Sequence, residues 1–247
     1  RCVEHAKRQP DVYQQAYAQA YLSMLGIMLI DPERVERWAL AAKSIAERHG
    51  FAPLEGLSRY TLAWAMAERG HPESFDMVVS GIGILAALGT GIGAPGCMAV
   101  VAEMYAKDGQ FGEAAGYVAF GEAMADGTGQ HFYTVELHRS AALAHLGLAD
   151  AADDDEVRAT ELHAAEQRAS AAIDLARAQS AASLELRAIQ PMIELLCRRG
   201  DTEAARSLLA DAVAKFPAES RGTELDRARA ALRGAAELRP RLRFYEV

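Results

Sequence analysis

Cysteine is scarce in this chain of 247 residues, which contains only Cys2, Cys97 and Cys197. Three cysteines at such wide spacing cannot build the disulfide framework on which small secreted domains depend. The cysteine content therefore predicts a reduced protein of the cytoplasm.

Positive charge is also in short supply. The chain has 26 Lys and Arg residues against 34 Asp and Glu residues, so its formal net charge is -8. A nucleic-acid-binding surface needs a basic stripe that neutralises phosphates. The charge balance argues against nucleic-acid binding by this region.

Recognisable signatures of catalysis are missing as well. The sequence contains no HExxH motif, no CxxC motif and no phosphate-loop motif, although these spacings are what zinc enzymes, thiol redox proteins and nucleotide hydrolases need. We therefore expect no catalytic residues, no cofactor and no bound metal in this chain.

One long stretch lacks charge altogether, from residue 77 to residue 102. Its length alone would suffice for a transmembrane helix. Six glycines and Pro95 interrupt it, however, and favour a helix, a loop and the start of another helix. The sequence thus predicts no membrane partner.

Glycines recur at an almost fixed interval in what remains. Gly70, Gly109 and Gly147 are 39 and 38 residues apart, and Gly200 follows after 53. The acidic, Ala-rich segment 148–160 accounts for the longer last interval. Each glycine lies between two apolar helical runs, which is typical of stacked helix-turn-helix repeats.

The helical periodicity predicts two helices in each repeat. The composition agrees, since it is 51% hydrophobic with only 8 prolines and rich in alanine, the strongest helix former. Asp31-Pro32 and Asp201-Thr202 are typical helix starts, and the recurring glycines are expected to end helices. The first helices are predicted at 12–29, 54–69, 94–108, 131–146 and 181–199, and the second helices at 33–49, 74–88, 112–126, 158–178 and 202–216.

The predicted fold is therefore all-α: a right-handed α-solenoid of about five tetratricopeptide-like (TPR-like) hairpins, closed by a capping helix at 223–237. We expect 1–247 to be a single helical-repeat domain and a fragment of a larger protein, in which 1–8 end an earlier helix. The segment 148–160 is expected to be an acidic inserted loop, and 238–247 a tail.

The last full repeat carries the clearest motif. Ala205, Leu209, Ala212 and Pro217 follow Gly200 and resemble the pattern of the second helix of a tetratricopeptide repeat. Residues 127–139 (GTGQHFYTVELHR), 171–177 (AAIDLAR) and 183–188 (SLELRA) resemble the C-terminal helical-repeat region of large bacterial signalling proteins. Those proteins place a nucleotide cyclase or DNA-binding domain, and then a STAND-type ATPase, before such repeats.

The resemblance implies a non-catalytic scaffold or sensor region whose enzymatic domains lie upstream. One hypothesis is protein–protein contact or autoregulation, with the upstream ATPase or effector domain, or a peptide segment, as partner. The alternative is a small-molecule sensor, similar to the repeats of the maltose-regulon activator, which bind an inducer sugar. In that alternative Tyr60 and Trp64 would stack on the ligand.

Three other patterns favour ordinary structural roles. Residues 91–96 match G-x-G-x-x-G, but a helix is predicted before them where the dinucleotide-binding motif needs a strand. His131, His138 and His145 recur every seven residues, about 10.5 Å along a helix, so no two of them can share one metal ion; they are predicted to pack between helices. The acidic run 153–156 lacks the alternating ligands of a calcium loop and suits the start of a helix.

In tetratricopeptide-like repeats the first helices line a groove. Projecting that repeat onto this chain predicts a groove that is aromatic at one end and charged at the other. Its candidate residues are Tyr17, Tyr60, Trp64, Glu103, Lys107, Glu136, Arg139, Arg187, Gln190, Glu194 and Arg198. Arginine and aromatic side chains are enriched in binding hot spots, and arginine forks suit carboxylates.

Overall fold

The computed structural model describes residues 11–89, 91 and 93–234, and every regular element among them is a helix. The all-α prediction is therefore confirmed for the described residues. The α-helices are α1 Val12–Met28, α2 Pro32–His49, α3 Ala52–Ala67, α4 Ser74–Ala87, α5 Ala94–Lys107, α6 Phe111–Thr128, α7 Thr134–Ala151, α8 Asp155–Ala178, α9 Ala182–Arg198, α10 Thr202–Ala214 and α11 Thr223–Arg233. A short 3-10 turn, His131–Tyr133, precedes α7. None of the described helices is both long enough and apolar enough to cross a bilayer.

Local sequence signals explain where several helices begin and end. The side chains of Asp11, Asp31 and Asp154 accept hydrogen bonds from backbone N–H groups in the first turns of α1, α2 and α8. Such caps satisfy donors that have no partner within the helix. Gly50 and Gly129 take the left-handed conformation at the ends of α2 and α6, which only glycine adopts without a steric penalty.

Two predictions about the region around residue 148 are wrong. Gly147 does not end a helix, since it lies inside α7, where the Phe111 ring occupies the space that a Cβ would take. The segment 148–160 is not an inserted loop, because α7 continues to Ala151 and α8 already begins at Asp155. The Asp154 cap and the high helix propensity of alanine favour helix here over loop. The predictions for 1–8 and 238–247, and for the final residues of the capping helix (235–237), lie outside the described residues.

The chain forms two compact units, which divide between residues 92 and 93. Unit 1 contains α1 to α4. Its helices contact their neighbours in sequence, and α3 also contacts α1. Alanines of α1 and α2 meet the larger side chains at the start of α3, in a core formed by Ala16, Ala20, Ala42, Ala46 and Leu54.

Unit 2 contains α5 to α11 and repeats this contact pattern. Each helix contacts the next, while the first helices α5, α7 and α9 also contact one another in sequence, and α9 reaches α11. The largest part of its core joins α8, α9, α10 and α11 through residues such as Ile173, Ile189 and Leu209. This succession of contacts brings side chains from three first helices together.

Glycine allows some helices to approach closely. A Cβ on Gly121 of α6 would lie 2.6 Å from Leu137 Cδ2 of α7 and 2.9 Å from Met98 Cβ of α5. Real Cβ atoms do not approach other atoms so closely, so α6 can hold this position between α5 and α7 only with glycine there.

Candidate functional site

A buried group of charged side chains connects the first helices of unit 2. We call Glu103, Lys107, Glu136, Arg139 and Arg187 the charge cluster. Glu103 and Lys107 lie on α5, Glu136 and Arg139 on α7, and Arg187 on α9. Arg139 is only 2% exposed and is among the largest fully buried side chains of the described residues.

Each arginine of the charge cluster contacts two carboxylates. The Arg139 Nε atom donates to Glu136 Oε2 at 2.9 Å, and its Nη2 atom donates to Glu103 Oε2. The Arg187 Nε atom lies 3.0 Å from Glu136 Oε1, and its Nη2 atom donates to Glu103 Oε2 at 3.4 Å. Lys107 Nζ, one helical turn after Glu103, lies 3.3 Å from Glu103 Oε1. The two carboxylates and two guanidinium groups thus form a closed ring of ion pairs.

The helical spacing of these residues explains the contacts made within a single helix. Residues three or four apart share a helix face, so Glu136 aligns with Arg139, and Glu103 aligns with Lys107. The contacts between helices depend on packing, because α5 and α9 both contact α7 and supply Glu103 and Arg187.

The electrostatics favour the ionised forms of Glu103 and Arg187. Burial alone would raise the pKa of Glu103, but Arg139, Lys107 and Arg187 outweigh it and hold the pKa of this carboxyl well below its usual range. Burial would likewise lower the pKa of Arg187, but Glu136 and the other nearby carboxylates raise it. A general acid or base works best with a pKa near the ambient pH, and Glu103 is shifted away from that range. The arrangement suits a permanent polar contact between helices.

Glu224 of α11 lies beside the charge cluster in a different electrostatic state. The pKa of this partly buried carboxyl is raised, chiefly by burial, even though Arg187 and Arg139 act in the opposite direction. Gln190 Nε2 donates to Glu224 Oε1 at 3.4 Å, a long hydrogen bond. Glu224 is therefore a less strongly stabilised carboxylate than Glu103.

The remaining charged candidates form a separate group. Arg198 makes a bidentate contact with Asp150 of α7, with distances of 2.6 and 2.8 Å, while its Nε atom donates to Glu194 Oε1 at 2.8 Å. The predicted charged end of the groove therefore divides in two. Glu103, Lys107, Glu136, Arg139 and Arg187 form the charge cluster with Gln190 at its margin, whereas Glu194 and Arg198 pair with Asp150.

The aromatic end of the predicted groove needs correction. Tyr60 and Trp64 of α3 are 1% and 3% exposed, so neither side chain faces a groove that a ligand can enter. The reason is that α3 contacts α1, α2 and α4 and is covered on nearly every side. Tyr17 of α1, by contrast, is 46% exposed.

Tyr17 belongs to a row of exposed side chains that the groove prediction missed. The row, which we call the tyrosine ridge, consists of Tyr13, Tyr17, Tyr21, Leu25 and Met28, each between 42% and 51% exposed. The Tyr17 and Tyr21 rings lie 4.3 Å apart. A hydrogen bond with Tyr17 is the main reason why the pKa of Tyr21 is raised. The spacing of three to four residues was the sequence signal that could have revealed the ridge.

A buried carboxylate of α9 was also missed. Glu185 is only 3% exposed, and it accepts hydrogen bonds from Arg177 of α8, at 2.8 Å, and from Lys215, which directly follows α10. Burial raises its pKa, but Lys215 and Arg177 outweigh this effect and lower it. Glu185 therefore ties three consecutive helical segments together by charge, as the charge cluster ties three first helices.

The other sequence patterns have structural surroundings. His145 Nδ1 lies 2.6 Å from Glu161 Oε2, and His138 Nδ1 lies 3.0 Å from an Arg168 nitrogen, so these two histidines bridge α7 and α8. Within the glycine motif, Gly93 N–H donates to the side chain of Gln130 at 2.8 Å. Across residues 11–89, 91 and 93–234, no three His, Cys, Asp or Glu side chains are arranged to hold a metal ion.

No protein-family model matches the chain, and comparisons with curated proteins and with solved structures return no match.

Proposed function

We propose that this chain is a non-catalytic repeat module that mediates protein–protein contact or autoregulation in a bacterial signalling ATPase. In this proposal its hairpins are tetratricopeptide-like repeats of a right-handed solenoid, and α11 is the cap. The resemblance of residues 127–139, 171–177 and 183–188 to the repeat regions of such ATPases supports the assignment, and so does the recurrence of glycines.

The order of helix packing carries the proposal. In unit 2, each first helix contacts the next first helix as well as its own hairpin partner, so a hairpin completes its core only with its neighbours. The second helices bury a narrow stripe, as in α10, where Ala205, Leu209 and Ala212 are buried. Extended surfaces built in this way commonly bind other proteins.

The charge cluster has a structural role in this proposal. Its carboxylates and arginines form ion pairs with one another, so they fix how α5, α7 and α9 align. The partner would instead meet the more exposed charges of the separate group, Arg198 with Glu194 and Asp150.

In the alternative of a small-molecule sensor, the two aromatic side chains that would stack on the ligand are inaccessible. It depended on Tyr60 and Trp64 stacking against a sugar, and both side chains are buried. A stacked ligand would first have to displace the core of unit 1. Protein binding is therefore the function that we propose.

The test begins with the reading frame upstream of Arg1, where we expect a phosphate-loop ATPase. The purified chain should then bind this ATPase region in calorimetry and change its rate of ATP hydrolysis. If the two neither associate nor affect each other's activity, the proposal is wrong.

Two adjacent arginines provide a matched pair of variants. Arg198 pairs with Asp150, and Arg199 makes a similar bidentate contact with Glu166. We expect Arg198→Ala to weaken binding to the ATPase region about tenfold, since charged hydrogen bonds contribute roughly 1.5–3 kcal/mol. Arg199→Ala should leave binding unchanged, because this residue lies outside the predicted groove. Equal effects of both variants would contradict a binding surface at Arg198.

A further inference from the structure

Two histidines of α7 contact α8 in chemically different ways. His138 Nδ1 lies 3.0 Å from Arg168 Nη1, and His145 Nδ1 lies 2.6 Å from Glu161 Oε2. A guanidinium group only donates hydrogen bonds, whereas a carboxylate only accepts them. The Nδ1 atom of His138 is therefore an unprotonated acceptor, and its neutral ring carries the hydrogen on Nε2. The Nδ1 atom of His145, by contrast, carries the hydrogen and donates it.

The opposite tautomers predict opposite responses to acid. A second proton on the His145 ring goes to Nε2, so the hydrogen bond to Glu161 remains and gains a charge on its donor side. A second proton on the His138 ring goes to Nδ1, the atom that accepts from Arg168. The imidazolium has no lone pair left for this hydrogen bond, and its charge repels the guanidinium. Of the two histidines, only His138 loses its contact with α8 when its ring is charged.

Arg168 uses the same contact to connect two second helices. Its guanidinium group donates to Glu122 of α6 through Nη1, and through Nη2 at 3.3 Å, across 46 residues of sequence. Because Nη1 carries two hydrogens, it can serve Glu122 and His138 together. His138 Nδ1 also lies 3.7 Å from Glu122 Oε1, so a protonated ring needs only a small movement to pair with this carboxylate.

The surroundings of His138 favour its neutral ring. Burial is the main reason why the pKa of His138 is lowered, Arg168 lowers it further, and Glu122 acts in the opposite direction. The other helices packed against α7 direct their charges to the charge cluster or to the contacts of Glu185 and Arg198 described above. These charged residues of α5 and α9 are Glu103, Lys107, Glu185, Arg187, Glu194 and Arg198.

We propose that His138 is an acid-sensitive switch in unit 2: its neutral ring holds Arg168 across α6, α7 and α8, and protonation of the ring releases Arg168 and pairs the imidazolium with Glu122. The change would loosen the link between the second helices α6 and α8, while the charge cluster still aligns the first helices. This proposal does not depend on the proposed ATPase partner, since all of these contacts lie within unit 2.

The direction of the pH response follows from the preference for the neutral ring. Because the pKa of His138 is lowered in the folded chain, the unfolded chain takes up the proton more readily. The contribution of His138 to stability is therefore complete above its ordinary pKa of 6.5 and is lost as the pH falls below that value.

Nitrogen-15 NMR of the imidazole rings tests the tautomers in the unmodified chain. With each ring assigned through its backbone signals, His138 should show an unprotonated Nδ1 and a protonated Nε2 at neutral pH, and His145 should show the reverse. This measurement needs no variant. A His138 ring that carries its hydrogen on Nδ1, or that is already charged at neutral pH, would overturn the proposal.

Asparagine at position 138 separates the switch from ordinary packing. Its Oδ1 atom can replace Nδ1 as the acceptor from Arg168, but it takes up no proton. His138→Asn should therefore keep most of the wild-type urea midpoint at about pH 8 and show a smaller fall in midpoint toward about pH 5, the range in which histidine changes charge. His145→Asn is the matched control, and its midpoint should fall at least as far as that of the wild type. Equal falls in the wild type and His138→Asn would refute the switch.

Hydrogen exchange shows where the fold responds. Between the same two pH values, and after correction for the intrinsic exchange rates, α8 of the wild type should lose more protection than α10. In His138→Asn this excess loss should disappear. If α8 of the wild type loses no more protection than α10, protonation does not loosen α8 and the proposal is wrong.

Discussion

The two units differ in the polar contacts that join their first helices. In unit 1, the contact between the first helices α1 and α3 is made by neutral hydroxyl groups, with Ser23 Oγ 2.8 Å from Thr61 Oγ1, and both side chains are fully buried. In unit 2, a neutral hydrogen bond from Ser140 Oγ to Ala99 O, at 3.0 Å, also joins α7 to α5, but the charged side chains of the charge cluster add ion pairs among α5, α7 and α9. Helices of similar length and spacing thus accept either a neutral or a charged polar contact.

The difference matters because the two kinds of contact lose different amounts of stability when one partner is substituted. A neutral hydrogen bond contributes about 1 kcal/mol, and its loss leaves only a weakly polar group behind. Removing one partner of a buried ion pair leaves an uncompensated charge, which costs about 3–5 kcal/mol. Unit 2 should therefore be the more vulnerable unit to single substitutions among its polar residues.

The largest effect is expected for Arg139→Met. This change leaves Glu103 and Glu136 buried without their principal partner and should destabilise unit 2 by about 3–5 kcal/mol. Both tryptophans, Trp38 and Trp64, lie in unit 1. Urea unfolding followed by tryptophan fluorescence therefore reports on unit 1, while circular dichroism reports on both units.

We expect Arg139→Met to lower the urea midpoint seen by circular dichroism and to leave the fluorescence midpoint in place. The matched variant Ser23→Ala, at the neutral contact of unit 1, should lower the free energy of unfolding measured by tryptophan fluorescence by no more than about 1 kcal/mol. Equal shifts of both signals in Arg139→Met would show that the units unfold as one, and the comparison would fail.

A comparable effect is expected within unit 1, where buried and exposed aromatic residues can be compared. Trp64→Ala removes a buried side chain and should cost about 3–5 kcal/mol, in the range of such core truncations, less whatever the site regains by collapsing. Tyr17→Ala should change stability by less than about 0.5 kcal/mol because Tyr17 is half exposed. Thermal unfolding followed by circular dichroism measures both, and similar losses would contradict the burial of Trp64.

The smallest effect is a change in the pH dependence of unit 2. The folded-state pKa of Glu103 lies below its ordinary value, so its ion pairs stabilise the fold above that ordinary value, near pH 4.5, and this stability is lost as the pH falls further. Glu224 has the opposite sign, because its pKa is raised in the folded state and the fold favours its protonated form.

Glu224→Gln should therefore stabilise unit 2 slightly at pH 7 and have no effect near pH 3, where the wild-type carboxyl is protonated in both the folded and the unfolded chain. Urea midpoints measured by circular dichroism at the two pH values give the answer. A larger effect at pH 3 than at pH 7 would contradict this sign.

The helices could be predicted from the sequence because their boundaries depend on neighbouring residues. Asp31 before Pro32 and Gly50 after His49 determine local backbone geometry, whatever the rest of the fold does. Gly147 misled the prediction, because glycine also serves close packing inside a helix. Only the position of the Phe111 ring distinguishes the two uses, and that position depends on the fold.

In the candidate site, contacts within one helix were predictable from the sequence, whereas contacts between helices were not. Glu136 and Arg139 share a face by their spacing, so their pairing follows from the sequence. The contact of Arg139 with Glu103, 36 residues away, depends on the rotation of α5 against α7, which local spacing does not determine. Tyr60 and Trp64 were misplaced for a related reason, since the repeat pattern does not show that α3 is covered from several sides.

The depth of the charge cluster has a consequence for the response to ionic strength. The Debye length falls from about 10 Å at 0.1 M salt to about 3 Å at 1 M, so concentrated salt weakens attractions between exposed charges, but it acts much less on charges held away from water. Concentrated sodium chloride should therefore loosen the outer contacts of Arg198 and Arg199 while the alignment of α5, α7 and α9 persists. A partner bound at the Arg198 contacts would therefore dissociate in concentrated sodium chloride, while the packing of α5, α7 and α9 is retained.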